Sequence, residues 1–233
     1  ELELLNGCNP LPFQFDQIDG VEEEMRLRYR YLHLRTPEMS HNLVVRHRAA
    51  MAARRFLAER DFLEVETPLL IKTTPEGARD YVVPSRIHHG EFYALPQSPQ
   101  LYKQILMASG VDRYYQLARC LRDEDLRKDR QPEHTQIDLE MSFVDEGDVF
   151  SLVEGMMAAV FAEAAGIALE TPFPRISYDD AMNLYGSDKP DLRFGCRIHD
   201  LDALVPGCGF GVFENALAGG GTVRCLHGPG LAR

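Results

Sequence analysis

Several features are absent from these 233 residues. No apolar run approaches the ~18 residues a membrane span requires, and no secretory hydrophobic region is present, so nothing in the chain reads as a membrane-crossing segment. Cysteine is scarce: Cys8, Cys120, Cys196, Cys208 and Cys225 are five in number and scattered. An odd, dispersed set argues against a disulfide framework and for a reducing compartment. There is no GxxxxGK[ST] phosphate loop. The glycines at 207, 209 and 211 lack the strand–turn–helix setting of a dinucleotide fingerprint and read as turn glycines. His88-His89, Cys196 with His199, and Cys225 with His227 lack zinc-site spacing. No serine elbow and no Cys/His pairing can be argued. A nucleotide bound by this chain would use neither common phosphate cradle.

Composition is that of an ordinary globular protein, 45% hydrophobic and 26% charged, with enough length for one large core or somewhat more. The net charge of −11 speaks at first against nucleic acid. Its distribution speaks otherwise. Residues 26–55 hold eight arginines (26, 28, 30, 35, 46, 48, 54 and 55) against the single acid Glu38. Such a region either holds phosphates or is a helix with a solvated basic stripe; both readings stand at this point. The chain begins at Glu1 rather than Met, which leads us to expect a piece of a longer polypeptide.

Residues 1–25 read as a tether ending in an acidic run. The alternation of Arg with Leu and Tyr over 26–35 reads as a strand or an extended basic arm. Thr36, Pro37 and Glu38 form a helix start, with a cap, a first-turn proline and an acid at the positive dipole end. The helix is predicted to reach about Glu59. Residues 62–70 read as a strand that Pro68 must end or confine to an edge or interface. Residues 73–80 form a polar loop with a glycine hinge, a candidate lid. A short strand over 91–95 and a helix from Gln100 to about Ser109, started by Ser98-Pro99 and stopped by Gly110, follow. Gln100 and Lys103 share a face of that helix, whose free N–H groups favour an anion nearby. A helix over 149–165 is predicted to bury Phe150, Val153, Met157, Val160, Phe161 and Ala164. Ser177 to Asp180 is a capping box opening a short helix that Gly186 closes. After about Cys196 the chain becomes glycine-rich, with eight glycines between 207 and 230, as at the start of a second module.

The centre of the chain is the stretch 114–143. At period two, Ala118, Cys120, Arg122 and Glu124 share one face of its first half. His134, Gln136, Asp138, Glu140 and Ser142 share one face of its second half. The intervening segment, 125–132, is charged and lacks an apolar run. Two antiparallel strands joined by a basic loop are predicted, with one face on a core. The other face is either the wet side of an ordinary sheet or a ligand site. Its fork donors, amides and imidazole are unusual for the first.

Taken together, residues 23–193 resemble the catalytic domain of a class II aminoacyl-tRNA synthetase, specifically the bacterial family of aspartyl-tRNA synthetases. Residues 62–70 with Pro68 are similar to motif 1, and Arg122-Asp123-Glu124 through Asp138 to motif 2. Residues 74–80 resemble that family's flipping loop, 97–103 its amino-acid recognition segment, and 186–193 a stretch typical of its bacterial form. The joint order and spacing carry the resemblance further than any one stretch.

The resemblance implies an α+β (mixed α/β) fold, an antiparallel sheet flanked by helices, and a homodimer with Pro68 at its interface. It implies a hinge or linker over 1–25, a catalytic domain over 26–195 and the beginning of an insertion domain over 196–233. It implies that L-aspartate and ATP give aspartyl-adenylate, whose aspartyl group passes to the terminal 3′-hydroxyl of tRNA in the cytoplasm. Arg122 would be the catalytic group, bridging α-phosphate and attacking carboxylate. Arg122, Asp123, Glu124, Gln131 and His134 would contact ATP, with the His134 ring stacked on adenine where a phenyl ring is common. Glu76, Ser98, Gln100, Lys103, Arg122 and Asp138 would bind aspartate. Lys103 would take its side-chain carboxylate, and Asp138 would hold either Lys103 or the substrate ammonium. A structural Lys103–Asp138 ion pair is the plainer alternative. Glu124, Arg127, Lys128 and Arg130 would meet the tRNA acceptor end. The cofactor would be ATP with Mg²⁺, whose ligand is expected outside this segment.

Parts of the family pattern are not found before Arg233: motif 3 with its arginine, a later metal-binding acid, and the anticodon-binding barrel. The expectation is that a polypeptide ending there could not complete adenylate synthesis. Two other functions compete with the first, a paralogue ligating aspartate to a small molecule and a non-catalytic tRNA-binding remnant. The basic regions argue against the former, and the joint presence of Gln100, Lys103, Arg122 and Asp138 against the latter.

Overall fold

A computed structural model describes residues 2–74, 76–127 and 130–228. Among them no helix is long and apolar enough to cross a membrane. Two compact units separate, Glu1–Pro172 and Phe173–Arg233.

The first unit opens with a short 3-10 helix, Phe15–Gly20, and two short helices, α1 (Glu23–Arg28) and α2 (Arg30–His33), broken at Tyr29. The extended arm expected over 26–35 is therefore helical. Glu23 and Glu24 in the first turn of α1, with Arg26 and Arg28 in its last, complement the helix dipole, and this outweighs the alternation of Arg with Leu and Tyr. Helix α3 (Pro37–Ala58) starts as predicted, with the Thr36 hydroxyl accepting from the Met39 N–H at 3.4 Å.

Strand β1 (Leu63–Glu64) runs parallel to β4 (Arg113–Leu121), which pairs antiparallel with β5 (Glu133–Met141), giving the order β1-β4-β5. The motif-1-like strand is thus short and ends well before Pro68. A separate two-stranded ribbon joins β2 (Val82–Pro84) to β3 (Phe92–Ala94). Helix α4 (Gln100–Ala108) follows, then the β4–β5 hairpin, then α5 (Glu146–Ala165), which begins in a capping box at Asp145 and ends at a left-handed Gly166.

The three-stranded sheet lies between two layers of helix. On one side α3 and α5 build the core from Ala53, Leu57, Phe62, Tyr115 and Met156, with Phe56, Leu139, Met141, Leu152 and Val160 packed on it. The buried stripe of α5 keeps Val160 and Ala164 of the one read in sequence and is otherwise rotated toward Leu152 and Met156. Leu152, Met156 and Val160 face inward, while Phe150 is 46% exposed. Gly155 sets this rotation, since a Cβ there would stand 2.9 Å from the Phe56 ring, so the two helices approach through the glycine. On the other side, α4 covers the face carrying Tyr114, Gln116, Ala118 and Cys120, all four buried. The β4 part of the polar face is therefore buried, while Arg122, His134, Gln136, Asp138 and Glu140 beside it are half-buried and Glu124 is exposed.

The arginines of 26–55 are in part committed. Arg54 pairs with Glu64 at 2.9 Å, Arg55 with Glu163 at 2.9 Å, and Arg46 donates to Thr135 Oγ1 at 2.8 Å. They tie α3 to the sheet and to α5.

In the second unit, α6 (Tyr178–Tyr185) is capped by Ser177 and closed by a left-handed Gly186. It is joined by β6 (Ile198–Asp200), α7 (Gly211–Ala218) and β7 (Arg224–Leu226), with β6 and β7 antiparallel. Arg224 donates to Asn183 Oδ1 at 3.3 Å, and Gly186 lies against Ile198. The segment from 173 onward thus packs with the glycine-rich region, and the compact units divide earlier than the compositional change near 196.

Candidate active site

Register brings the polar residues together. Cys120 opposes His134, Ala118 opposes Gln136, and Gln116 opposes Asp138. Backbone bonds close the open end of the hairpin, the Arg122 N–H donating to Pro132 O at 2.8 Å and the Leu121 N–H to Pro96 O at 2.9 Å. Beyond that end lies a cavity of about 320 Å³ lined by Arg122, Glu124, Asp125, Leu126, Arg130, Gln131, Pro132 and His134. Four of the five residues expected to contact ATP therefore converge. Asp123 does not join them. It turns away, its carboxylate 3.7 Å from Arg79 Nε and its N–H donating to Arg79 O at 3.1 Å. Arg127 and Arg130 line a neighbouring open depression with Arg79, Asp123 and Glu124. Lys128 lies outside the described residues.

Beside this cavity, α4 delivers Lys103 to the sheet. Its Nζ donates to Asp138 Oδ1 at 2.9 Å and lies 3.2 Å from Glu140 Oε2. The Lys103 and Asp138 side chains are each 12% exposed. Burial pulls the Lys103 ammonium toward a lower pKa, but the two carboxylates outweigh it and hold the pKa above its ordinary value. Lys103 is therefore charged across the neutral range. Asp138 Oδ2 is buried, and the Tyr114 hydroxyl lies close to this carboxylate.

Tyr114 and Cys120 line the same face without taking part as ions. Burial, reinforced by the nearby Asp138 carboxylate, pushes the Tyr114 hydroxyl well above its ordinary value. Burial pushes the Cys120 thiol up to about 11, with Arg122 and Lys103 drawing it down and Asp138 and Glu76 driving it up.

Glu76 reaches the site from the segment after β1. Its Oε2 accepts from Ser98 Oγ at 3.0 Å and its Oε1 from Thr74 Oγ1 at 3.2 Å. Ser98 also accepts from the Gln100 N–H at 3.1 Å, so it starts α4 from just outside it. The Gln100 side chain is exposed at the first turn, on the side of α4 that Lys103 shares. Pro68 is exposed together with Leu69 and Leu70.

Three further residues, given no role from the sequence, belong to the site. Glu140 shares a strand face with Asp138 two residues on, a signal available from period two alone. Gln116 is buried and its Oε1 accepts from Thr67 N, Thr67 Oγ1 and Tyr114 OH, joining the segment before Pro68 to the site floor. Gln97 is buried and bonded to residues 78 and 80, contacts that no local pattern announces.

One partly covered sheet face thus brings together a fork-shaped cation, a ring and a charge-paired lysine. The sequence model of the family tRNA synthetases class II (D, K and N) matches residues 22–206, and the chain belongs to that family. It is 58% identical over 230 residues to the Aspartate--tRNA(Asp/Asn) ligase of Syntrophomonas wolfei, covering 99% of this chain and 39% of that protein. It is 55% identical over 233 residues to the Aspartate--tRNA ligase of Ruminiclostridium cellulolyticum, again spanning 39% of its length. Among solved structures, it resembles asparaginyl-tRNA synthetase from Pyrococcus horikoshii complexed with asparaginyl-adenylate, with a TM-score of 0.70 and 26% identity over 86% of this chain and 49% of that one. The α+β fold expected from the sequence is the one found.

Proposed function

We propose that this chain is the motif 1 and 2 part of an aspartate–tRNA ligase, acting in the cytoplasm as a homodimer. L-Aspartate and ATP give aspartyl-adenylate and pyrophosphate, and the aspartyl group then passes to the 3′-hydroxyl of tRNA. The observation that carries this reading is Lys103, charged and enclosed between Asp138 and Glu140 on the face that leads to Arg122. A fixed ammonium rewards a side-chain carboxylate. Asparagine would offer it no charge partner, and an enclosed ammonium that must share its carboxylates with a neutral ligand gains little.

The attacking group in the first step is a carboxylate, ionised at neutral pH, so the step needs positioning and charge stabilisation more than a base. Arg122 supplies a planar fork able to bridge the α-phosphate and the attacking oxygen. His134 and Gln131 line the same cavity and suit the adenine. The Asp138 and Glu76 carboxylates suit the substrate ammonium. Arg127 and Arg130, with Glu124 beside them, suit an incoming tRNA end. Exposed Pro68, Leu69 and Leu70 support a partner subunit at that edge. Class II synthetases use ATP with Mg²⁺, which offsets phosphate charge when bound. Among the described residues no three His, Cys, Asp or Glu side chains cluster as a metal site.

The test is amino-acid-dependent ATP–pyrophosphate exchange by the full-length protein. Exchange driven by aspartate and not by asparagine or lysine is expected. Exchange driven by either of the others in preference to aspartate would overturn the assignment.

A further inference from the structure

Gln97 immediately precedes Ser98 and is itself 2% exposed. Its amide makes a three-bond clamp. Oε1 accepts from the Ala78 N–H at 3.0 Å, while Nε2 donates to Ala78 O at 2.8 Å and to Asp80 Oδ1 at 2.5 Å. Asp80 uses its other oxygen to accept from Thr73 Oγ1. The first two bonds grip both polar groups of one backbone residue, as a ladder partner would. The next residue along, Ser98, holds the Glu76 carboxylate by a single bond of 3.0 Å.

The segment 76–80 is therefore attached in two unequal ways. Breaking the Gln97 clamp would leave a buried amide and two backbone groups unpaired, which is costly. Releasing Glu76 from Ser98 exchanges one hydrogen bond for another. We propose that Gln97 is a positioning residue for the amino acid: it fixes the backbone at Ala78 so that Glu76, two residues away, stays within reach of the substrate ammonium. Glu76 can then exchange Ser98 for that ammonium while the backbone at Ala78, on the other side of Gly77, stays anchored. The inference rests on the reading above that Lys103 and Asp138 receive an amino acid. It adds a residue that touches no substrate yet sets the affinity for one of the two.

The experiment compares Gln97→Leu with the unaltered full-length protein, measuring KM for aspartate, KM for ATP, kcat for pyrophosphate exchange, and hydrogen exchange of the Ala78 amide. The clamp predicts that Ala78 exchanges about tenfold faster and that KM for aspartate rises about tenfold, the scale of one or two lost hydrogen bonds. KM for ATP and kcat should stay within about twofold. If Gln97→Leu does not fold, Asp80→Ala removes one of the three bonds from a half-buried loop position, and a rise of about threefold in KM for aspartate alone is expected. Faster Ala78 exchange with unchanged KM for aspartate would overturn the positioning role, as would equal rises for aspartate and ATP. Absence of aspartate-dependent exchange in the unaltered protein would instead overturn the assignment of the site.

Discussion

Lys103 and Asp138 meet at 2.9 Å although one stands on helix α4 and the other on strand β5. The pair welds the helix to the sheet at the point where a substrate carboxylate would have to enter. Glu140, at 3.2 Å, completes a triad with one positive and two negative members. Lys103→Leu in the full-length protein should raise KM for aspartate by about ten- to a hundredfold, the worth of a charged hydrogen bond, and leave KM for ATP within about threefold. It should also lower stability by about 3 kcal/mol, because the Asp138 carboxylate, 12% exposed, loses its counter-ion. Pyrophosphate exchange and denaturant unfolding check the two halves, and an unchanged KM for aspartate would refute the pocket.

Arg122 is half-buried at the mouth of the cavity. Arg122→Ala should reduce adenylate formation by about a hundred- to a thousandfold, as for loss of a preorganised donor to developing charge. Stability should change by no more than about 0.5 kcal/mol, since the group lies at the rim. Single-turnover adenylate formation and a thermal melt are the measurements. A variant with near-normal exchange would show that the charge assignment is wrong.

His134 separates ring from charge. If it serves as a stacking surface, His134→Phe should keep KM for ATP within about threefold. His134→Ala should raise it about tenfold, corresponding to the ~1–3 kcal/mol typical of base stacking. A Phe variant as impaired as the Ala variant would point to a polar role for the imidazole.

On the opposite face, Arg54 holds Glu64 by two-pronged bonds of 2.9–3.0 Å, and the Tyr115 hydroxyl adds a third donor at 3.2 Å. The hydrogen bond from Arg54 is the main reason the Glu64 carboxyl lies below its ordinary pKa. A depressed folded-state pKa means that the contribution is present above the unfolded value of about 4.3 and is lost as pH falls through the folded value. Arg54→Met should therefore cost about 0.5–1 kcal/mol at pH 7, in keeping with a partly exposed pair, and progressively less below about pH 4. Urea unfolding at pH 7 and pH 3 reads the difference, and a gap that stays constant would exclude the linkage.

Much of the site was legible because its residues sit on a strand pair and one helix, where period two and period 3.6 decide who faces whom. Arg122, His134 and Asp138 could be placed on one face from alternation, and Lys103 on a helix from its cap and stop residues. Asp123 could not be told from its neighbours, because its direction is set by a contact with Arg79 more than forty residues away. The rotation of α5 was hidden for a similar reason. Its apolar residues go almost all round, so hydrophobicity alone does not choose the buried stripe, and the choice falls to Gly155 meeting Phe56. The helical form of residues 23–33 was missed where end charges outweighed alternation.

Strand β4 carries its two tasks on alternate residues. Tyr115 belongs to the apolar core against α3 and α5, while Tyr114, Gln116 and Cys120 belong to the charged layer under α4. Neighbours in sequence therefore answer to different demands. A protein engineer could repack Tyr115, Leu139 and Met156 for heat resistance without touching a side chain of the layer under α4. The reverse does not hold, because a change at Lys103 also loosens α4 from the strand it is paired with.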